Sequence, residues 1–439
     1  MLIVVAGAGA ASAQDAGSRA AVIEQIQAAK AEDVTTAVPA PAAPAAGVEQ
    51  AESGEAEPSA QAADPSSRAA LIEQAQTVKS EHLTPAMQGK AEQQVTRLLD
   101  IFLSGQLHWH PFWQSAYSGG GFTLGAGYST FVSPSNLLDV RGSYTFSGYK
   151  RMEAEFLAPE LFKRRGTLSV LGGWREATQV GFYGFGMTSS QDHRTNYSFT
   201  QPYLSAQLEV FPMRRLFVVR GGIEATQWKQ NPGEGTDPSV ETAYTSATLP
   251  GLGAQPFYWH SQGTVGFESR AARGYARRGA FYGVTVHDFT EQDKLYGFTQ
   301  VDYEAIQHIP ILRDTWVVSL HGLAQTTYDK SGQQIPFFMM PSLGGGSDLR
   351  AYASWRLRDL NSLLLQAEWR VIASRFIDMA LFYDAGTVSA RRNDLDLHDM
   401  KTDIGLGFRL HGAAATPLRI EFTQGSEGFG IVLAASHAF

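Results

Sequence analysis

Residues 429–439 read FGIVLAASHAF, and their side chains alternate between two sets over the whole segment. The first set is mostly apolar and ends on an aromatic residue: Phe429, Ile431, Leu433, Ala435, His437 and Phe439. The second set is mostly small: Gly430, Val432, Ala434, Ser436 and Ala438. Because neighbouring side chains of a β-strand point to opposite faces, this alternation predicts a strand with one apolar face.

The same alternation recurs through residues 121–439. In the segment 316–328, one face is apolar in the middle and has Trp316 and Tyr328 at its ends, which is typical of a lipid-facing band between two aromatic girdles. The segments 403–411 and 418–423 also carry one apolar face and one face with charges. A soluble sandwich has strands with one apolar face too. A long series of such strands favours lipid outside and water inside.

We count about fifteen strands, and bacterial single-chain barrels have even numbers, so the sequence predicts an all-β, transmembrane, antiparallel barrel of about sixteen strands. The predicted strands begin near residues 121, 136, 150, 167, 195, 215, 256, 279, 296, 314, 360, 376, 401, 416 and 428. The uncounted strand is expected within 232–256 or within the long stretch 167–211.

The first hundred residues differ from the rest in composition. All 49 aromatic residues (8 Trp, 16 Tyr and 25 Phe) lie at or after Phe102. Residues 14–100 carry 6 basic and 13 acidic side chains, a net charge of 6 − 13 = −7, whereas residues 101–439 carry 29 and 30, a net of −1. A segment with so few large apolar residues cannot build a core. We therefore expect a mostly disordered periplasmic extension over 14–104 and the barrel over 105–439.

Two features of the N-terminal region suggest export and duplication. Residues 1–13, MLIVVAGAGAASA, are apolar and end in a small-x-small pattern, which predicts a signal peptide cleaved before Gln14. Residues 18–33 and 67–82 repeat each other, with a narrow apolar stripe at helical spacing and a Pro/Ala linker between them. The repeat is a duplicated docking helix for a periplasmic partner or a duplicated spacer. Isolated helices of this length are marginal in water, which favours the spacer.

Composition argues against several classes of function. The chain has no cysteine, which excludes disulfides, thiolate metal sites and a cysteine nucleophile. It is not basic enough to suggest a nucleic-acid partner. It contains no Gly-x-Ser-x-Gly motif, so a fused hydrolase site is unsupported and we expect no enzyme activity. The sequence 108–110, His-Trp-His, and the acidic segment 393–399 lack the ligand number or spacing of metal sites, so no metal or cofactor is expected.

The stretch 343–359, LGGGSDLRAYASWRLRD, lies between two predicted strands. Gly344, Gly345 and Gly346 give it a flexible, turn-like start, and the cation Arg350 and the aromatic Tyr352 follow. Long loops in an otherwise regular fold are often functional. This loop is therefore the main candidate for a functional segment.

Three segments in this order resemble the Omp85 superfamily, the bacterial surface antigen barrels that insert or translocate outer-membrane proteins. Residues 344–352 resemble the family's lumen-plugging loop, with Leu349, Arg350 and Tyr352 matching its motif and Ala351 standing where glycine is usual. Residues 366–370, QAEWR, resemble the Glu-aromatic-Arg strand that follows. Residues 382–386, FYDAG, resemble the next strand's Phe-x-Asp-x-Gly.

The last strand is similar to the C-terminal signal that outer-membrane proteins present to the insertion machinery. Ile431, Leu433, His437 and Phe439 carry this likeness, although His437 stands where an aromatic residue is more usual. The resemblance therefore implies insertion into the bacterial outer membrane, with outer-membrane lipid as one partner.

The resemblance also implies a position for the loop inside the lumen and a contact between Arg350 and Asp384 that pins it. The period-2 pattern agrees, because Glu368 and Asp384 fall on the polar faces of their strands. An arginine buried in a lumen needs a carboxylate partner. The other implied lumen partners are Arg370, Phe382 and Gly386. If the loop requires a positive φ at residue 351, Ala351 would be strained.

Members of this superfamily usually carry periplasmic POTRA modules, and residues 14–101 contain no convincing strand. The resemblance thus implies a member without POTRA domains. Its implied function is protein or lipid assembly or translocation through the lumen loop and a weak seam between the first strand, near 121–131, and the last, near 428–439. Nascent outer-membrane proteins are the candidate cargo. The alternative is a passive or substrate-specific pore, or a structural barrel without insertase activity, although a plugging loop argues against an open pore.

Overall fold

The computed structural model describes residues 3–6, 108–213, 216–312, 315–374, 376–412, 416–434 and 439. The duplicated helices predicted at 18–33 and 67–82 lie outside the described residues, as does the rest of the extension up to residue 104. The signal peptide and the domain boundaries therefore remain predictions. Within the described ranges, no helix is long and apolar enough to cross a bilayer.

Strands dominate the structure. In chain order they are β1 Ile3–Ala6, β2 Trp109–Pro111, β3 Thr123–Phe131, β4 Leu137–Thr145, β5 Lys150–Glu160, β6 Gly166–Phe182, β7 Thr195–Val210, β8 Phe217–Gln227, β9 Lys229–Pro232, β10 Phe257–Glu268, β11 Gly279–Glu291, β12 Phe298–Pro310, β13 Trp316–Asp329, β14 Ser342–Leu343, β15 Leu357–Arg358, β16 Asn361–Ile372, β17 Ile377–Ser389, β18 Lys401–Leu410, β19 Leu418–Gly425 and β20 Gly428–Ala434. Short helical turns lie at Leu161–Arg164, Gln191–His193, Val240–Ala243, Phe337–Met339 and Arg392–Asp394.

Sixteen of these strands form the barrel wall, in which each strand pairs antiparallel with the next along the chain. They are β2 to β8, β10 to β13 and β16 to β20. The connections alternate between the two ends of the wall. One end, called here the short-turn end, holds the connections 132–136, 161–165, 211–216, 269–278, 311–315, 373–376 and 411–417. The opposite end holds the longest loops, such as 233–256 and 330–360, together with short turns such as 146–149 and 426–427.

All fifteen predicted strands are present and begin within two residues of their predicted positions. The predicted place of the sixteenth was wrong, because it is Trp109–Pro111. Gly166–Phe182 and Thr195–Val210 are single long strands, and the described residues of 233–256 add no wall strand. A strand of three residues is too short to show a period. Glycine makes room for it, since a Cβ at Gly127 would clash with the His110 ring.

The two faces of the wall have opposite chemistry. Apolar side chains on the outer face are exposed, for example Leu320 at 44% and Ile404 at 59%, whereas charged side chains on the inner face, such as Arg419 and Glu421, are fully buried. In a soluble sandwich the apolar face would be the buried one. The distribution is that of a membrane barrel with an apolar band outside and a polar interior, as the alternation predicts.

The two edges of the wall are formed by its shortest strands, β2 and β20. Residues 121–131 were predicted as the first strand, but β3 is the second, because β2 pairs along it. At the other edge of the wall, β20 pairs in parallel with β1, from Gly430 opposite Ile3 to Leu433 opposite Ala6. The first strand of the wall is therefore β2, and not residues 121–131 as predicted.

Candidate functional site: the lumen loop and its partners

The lumen loop, residues 343–359, is closed at its neck by the pairing of β14 with β15. Its glycines fix its shape. Gly344 and Gly345 have φ values of 116° and 114°, in the region that favours glycine. The backbone then turns back on itself, and the N–H of Gly345 donates to the carbonyls of Leu349 and Tyr352, both at 3.2 Å. The predicted glycine-rich turn therefore presents the next residues as a compact tip.

Arg350 at this tip makes the contact with Asp384 that the resemblance implies. Its Nε donates to Asp384 Oδ2 at 2.8 Å and its Nη2 donates to Asp384 Oδ1 at 3.0 Å, a bidentate geometry. Its Nη1 donates to Glu421 Oε1 at 2.8 Å and lies 3.7 Å from Glu368 Oε2. Both Arg350 and Asp384 are fully buried. The loop is thus fixed to the inner wall through a charge that water does not reach.

The strand motif 382–386 packs against the same residue and its neighbour. The Arg350 guanidinium carbon lies 3.6 Å from the centroid of the Phe382 ring, close enough for a cation–π contact. Gly386 faces the loop, and a Cβ there would come within 2.8 Å of Leu343 and 3.1 Å of Leu349. The three motif positions in β17 therefore act on the loop in different ways, since the aromatic ring stacks, the carboxylate pairs and the glycine makes room.

The charge network extends beyond the residues that the sequence singled out as partners. Arg409 donates both Nη atoms to the two carboxylate oxygens of Glu368, and its Nη2 donates to Glu421 Oε1 at 3.1 Å. Arg419 donates to Glu421 Oε2 at 2.9 Å and to the Gly346 carbonyl at 2.7 Å. With Arg350 and Asp384, these contacts bring three guanidinium and three carboxyl groups together. Alternation places 409, 419 and 421 on inner faces, but it cannot give their depth.

Ala351 and Tyr352 hold the tip on the other side. The Ala351 N–H donates to Asp403 Oδ2 at 3.0 Å, and Tyr352 Oη donates to the Thr402 carbonyl at 3.0 Å and lies 2.9 Å from Ser426 Oγ. The non-glycine residues with positive φ do not include Ala351. The loop therefore does not need the positive φ that would have strained alanine, and it tolerates the departure from the family pattern.

Arg370 was predicted as a lumen partner and does face the lumen, but it does not contact the loop tip. Its Nε lies 3.5 Å from Glu368 Oε1, and its Nη2 donates to the Ala276 carbonyl and to Ser319 Oγ. It therefore joins the charge network to a different segment, the connection 269–278.

The C-terminal side of the loop lies under aromatic side chains. Arg358 Nη1 donates to Tyr197 Oη at 2.9 Å and to the Phe337 carbonyl at 2.8 Å. Phe182 and Trp355 flank the same guanidinium, at 5.9 Å and 5.3 Å from their ring centroids. These contacts anchor the neck of the loop, as Arg350 anchors its tip.

The four residues of the predicted insertion signal have different outcomes. Ile431 and Leu433 alternate with the buried Gly430, Val432 and Ala434, as predicted for an outer face. His437 lies outside the described residues. Phe439 was expected on the same face, but its ring stacks on lumen-side imidazoles, 5.1 Å from His321 and 6.3 Å from His308 between centroids. The regular described strand ends at Ala434, so alternation no longer fixes the direction of residue 439.

Electrostatics in the loop follow from burial and from these partners. Burial lowers the pKa of Arg350, but the negative charges of Asp384, Glu421 and Glu368 outweigh it, so the net pKa lies above the usual value. Burial raises the pKa of the neighbouring Asp348 to about 7. No group of three or more His, Asp or Glu side chains in the described part of the chain is arranged to hold a metal ion.

Comparison with solved structures identifies the fold. The chain matches BamA from Haemophilus ducreyi lacking POTRA domains 1–3, with 14% identity, a TM-score of 0.53 and coverage of 73% of this chain and 67% of that one. It also matches CdiB from Escherichia coli and from Acinetobacter baumannii, each with 12% identity, at TM-scores of 0.48 and 0.45. These matches cover 73% and 69% of this chain but only 57% and 53% of the CdiB chains. No protein-family model and no curated protein matches the sequence.

The match to BamA carries the fold. The chain shares the barrel fold of that structure, in agreement with the fold that the sequence resemblance implies, and the match is at the level of the fold and not of the sequence.

Proposed function

We propose that this chain acts in protein or lipid assembly or translocation at the bacterial outer membrane, through the lumen loop and a weak seam between its first and last strands. The buried bidentate pair of Arg350 with Asp384 carries the proposal. A passive pore has no need for a loop fixed across its lumen at such an electrostatic cost. While such a loop stays in place it stabilises the strands that it contacts, and its displacement would release them.

The loop is fixed to the part of the wall next to the seam. Its partners lie on β16 to β19, and Tyr352 reaches Ser426 in the connection that leads into β20. The Arg350 carbonyl accepts from Thr423 Oγ1 at 3.4 Å, in the strand that pairs with β20. A displacement of the tip would therefore act directly on the last two strands.

The strands at the seam are short, which supports lateral opening. β2 has three residues and β20 has seven, whereas the other wall strands have eight to seventeen. A short edge offers few ladder hydrogen bonds, so it can separate at low cost. β1, which pairs with β20, lies within the predicted signal peptide. Cleavage of the signal peptide would remove β1, and the backbone N–H and C=O groups of β20 could then pair with an incoming strand.

Depletion of the protein followed by outer-membrane proteomics and lipid analysis tests the proposal. We expect particular barrel proteins or lipids to be lost, and Arg350→Ala to fail to restore them. Arg164→Ala is the matched control, because Arg164 is exposed and its nearest carboxylate, Glu160, is 3.3 Å away on the surface. An unchanged profile together with a large, steady conductance in planar bilayers would support the pore alternative instead.

A further inference from the structure

The connection 269–278 is the longest at the short-turn end. It has ten residues, whereas the other six connections there have four to seven. It also folds inward, since Ala272, Tyr275 and Ala276 are all at least nine-tenths buried. A turn that merely reversed the chain would remain outside and exposed, as 161–165 does. The length and burial of this connection therefore require a separate explanation.

The connection is attached to a distant part of the wall. Tyr275 Oη donates to Asp378 Oδ2 at 2.8 Å, and the Tyr275 ring stacks on His411 with 4.0 Å between centroids. The Gly274 carbonyl accepts from Thr416 Oγ1 at 3.1 Å. Asp378 lies in β17, and three strands separate β17 from β11, where the connection ends. Contacts over that separation mean that the segment extends across the mouth of the lumen.

Its first half is attached on the opposite side. Arg273 Nη1 lies 2.8 Å from Glu209 Oε2 in β7, and Arg273 Nε lies 3.1 Å from Glu268 Oε2 in β10. Arg270 also donates to Glu268, at 2.9 Å. Buried or half-buried ion pairs on one side and the tyrosine contacts on the other hold the segment at both ends.

Little space remains beside it. The cavity between the connection, the wall and the Phe439 ring has a volume of about 10 Å³, which is room for about one water molecule. Tyr275, Ser319, Arg370 and Phe439 are among the residues that line it. A solute larger than water does not fit into this space.

We propose that residues 269–278 form a second plug, which closes the lumen at the short-turn end independently of the lumen loop. Strand β16 contacts both plugs. Its Arg370 donates to the Ala276 carbonyl and lies beside Glu368, which belongs to the network around Arg350. The barrel conducts only when both are displaced. This inference goes beyond the proposed function and does not depend on it.

Conductance of four forms of the full chain in planar bilayers tests the second plug. The forms are the wild type, a lumen-loop variant with 346–352 replaced by a glycine-serine linker, a plug variant with 270–277 shortened to four such residues, and their combination. We expect each single variant to stay close to the wild type and the combination to conduct at least about tenfold more, a non-additive result. A lumen-loop variant that conducts as well as the combination would refute the plug, and so would a folded combination that stays closed.

Cysteine labelling tests the same inference without deleting anything, because the chain has no native cysteine. Ala276→Cys places a thiol at a buried position of the plug, and Ala271→Cys places one at an exposed position of the same segment. We expect a water-soluble maleimide to label residue 271 at least about tenfold faster, in keeping with the burial of residue 276. Tyr275→Ala, introduced into the Ala276→Cys variant, should raise the labelling rate of residue 276. Tyr275→Phe, which keeps the stacked ring, should raise that rate less. Equal rates at 271 and 276 in the otherwise unaltered chain would overturn the inference.

Discussion

Arg350→Ala should destabilise the folded barrel substantially, and the structure indicates where the loss arises. The substitution removes two hydrogen bonds to Asp384 and one to Glu421. Glu421 retains Arg409 and Arg419, so its charge stays compensated. Asp384 keeps the neutral Gln366 amide, which donates at 3.1 Å, but loses the guanidinium that balances its charge. The cost should therefore fall mainly on one fully buried carboxylate.

Removing one partner of a buried ion pair costs about 3–5 kcal/mol. Because Glu421 remains paired, we expect the lower end, about 3 kcal/mol, which is a factor of roughly 100 in the ratio of folded to unfolded protein. Arg350→Lys should lose less, since it keeps the charge but not the bidentate geometry. Asp384→Asn combined with Arg350→Ala should lose less than the sum of the two single changes by about 1–3 kcal/mol, because the two groups interact directly.

The assay is urea unfolding of the purified barrel in detergent micelles, followed by tryptophan fluorescence and analysed by linear extrapolation. Arg164→Ala provides the baseline for an arginine whose ion pair is exposed, and it should change the free energy of unfolding by less than about 1 kcal/mol. If Arg350→Ala also fell within that range, or if the double variant were simply additive, the loop would not be held by this pair and the reasoning would fail.

Three further substitutions and one control variant test individual features of the loop and its contacts. Gly386→Ala should lower the free energy of unfolding by about 1–3 kcal/mol, because the new Cβ would meet Leu343 at 2.8 Å. Gly221→Ala, where a Cβ would meet nothing within 4 Å, should have little effect in the same urea titration. Ala351→Gly, which restores the family's residue, should destabilise by about 0.5–1 kcal/mol, because no positive φ needs relief and the unfolded chain gains freedom; a gain in stability would contradict this. Asp348 has its pKa raised to about 7, so its folded form binds a proton that the unfolded form has lost, and stability should fall as the pH rises from about 4 to about 7. Asp348→Asn should remove that slope, and an unchanged slope in the variant would exclude Asp348 as its source.

The sequence predicts the wall well, because membrane strands have to alternate over their whole length. Fifteen strands show this period, and the structure places all fifteen. Trp109–Pro111 was missed since three residues cannot display a period, and its position depends on the space over Gly127 on the next strand.

The site was predictable to the extent that a local motif defines it. Asp384, Phe382 and Gly386 lie in one strand, and their alternation alone puts them on the lumen side. Arg409, Arg419 and Glu421 are equally buried and equally part of the network, yet their strands carry no motif. Alternation assigns a face but not a depth along the barrel axis. The depth depends on register between neighbouring strands, which pairs Arg409 with Arg419 and Asp384 with Asp403.

The register of the wall brings two pairs of like side chains opposite each other, which explains why the loop carries a cation to Asp384 and a backbone N–H to Asp403. Arg409 and Arg419 are register partners, and so are Asp384 and Asp403. Like ionisable groups that are buried directly opposite each other need a compensating charge or hydrogen-bond donors. The loop relieves the second pair by placing Arg350 on Asp384 and the Ala351 N–H on Asp403, while Glu421 and Glu368 neutralise the first. Withdrawal of the loop would leave the carboxyl groups of Asp384 and Asp403 buried without the guanidinium and the backbone N–H from which they now accept, in strands close to the proposed seam. The same contacts that hold the loop in the lumen therefore make the wall dependent on it, so that releasing the loop weakens the region of the barrel that the proposed function requires to open.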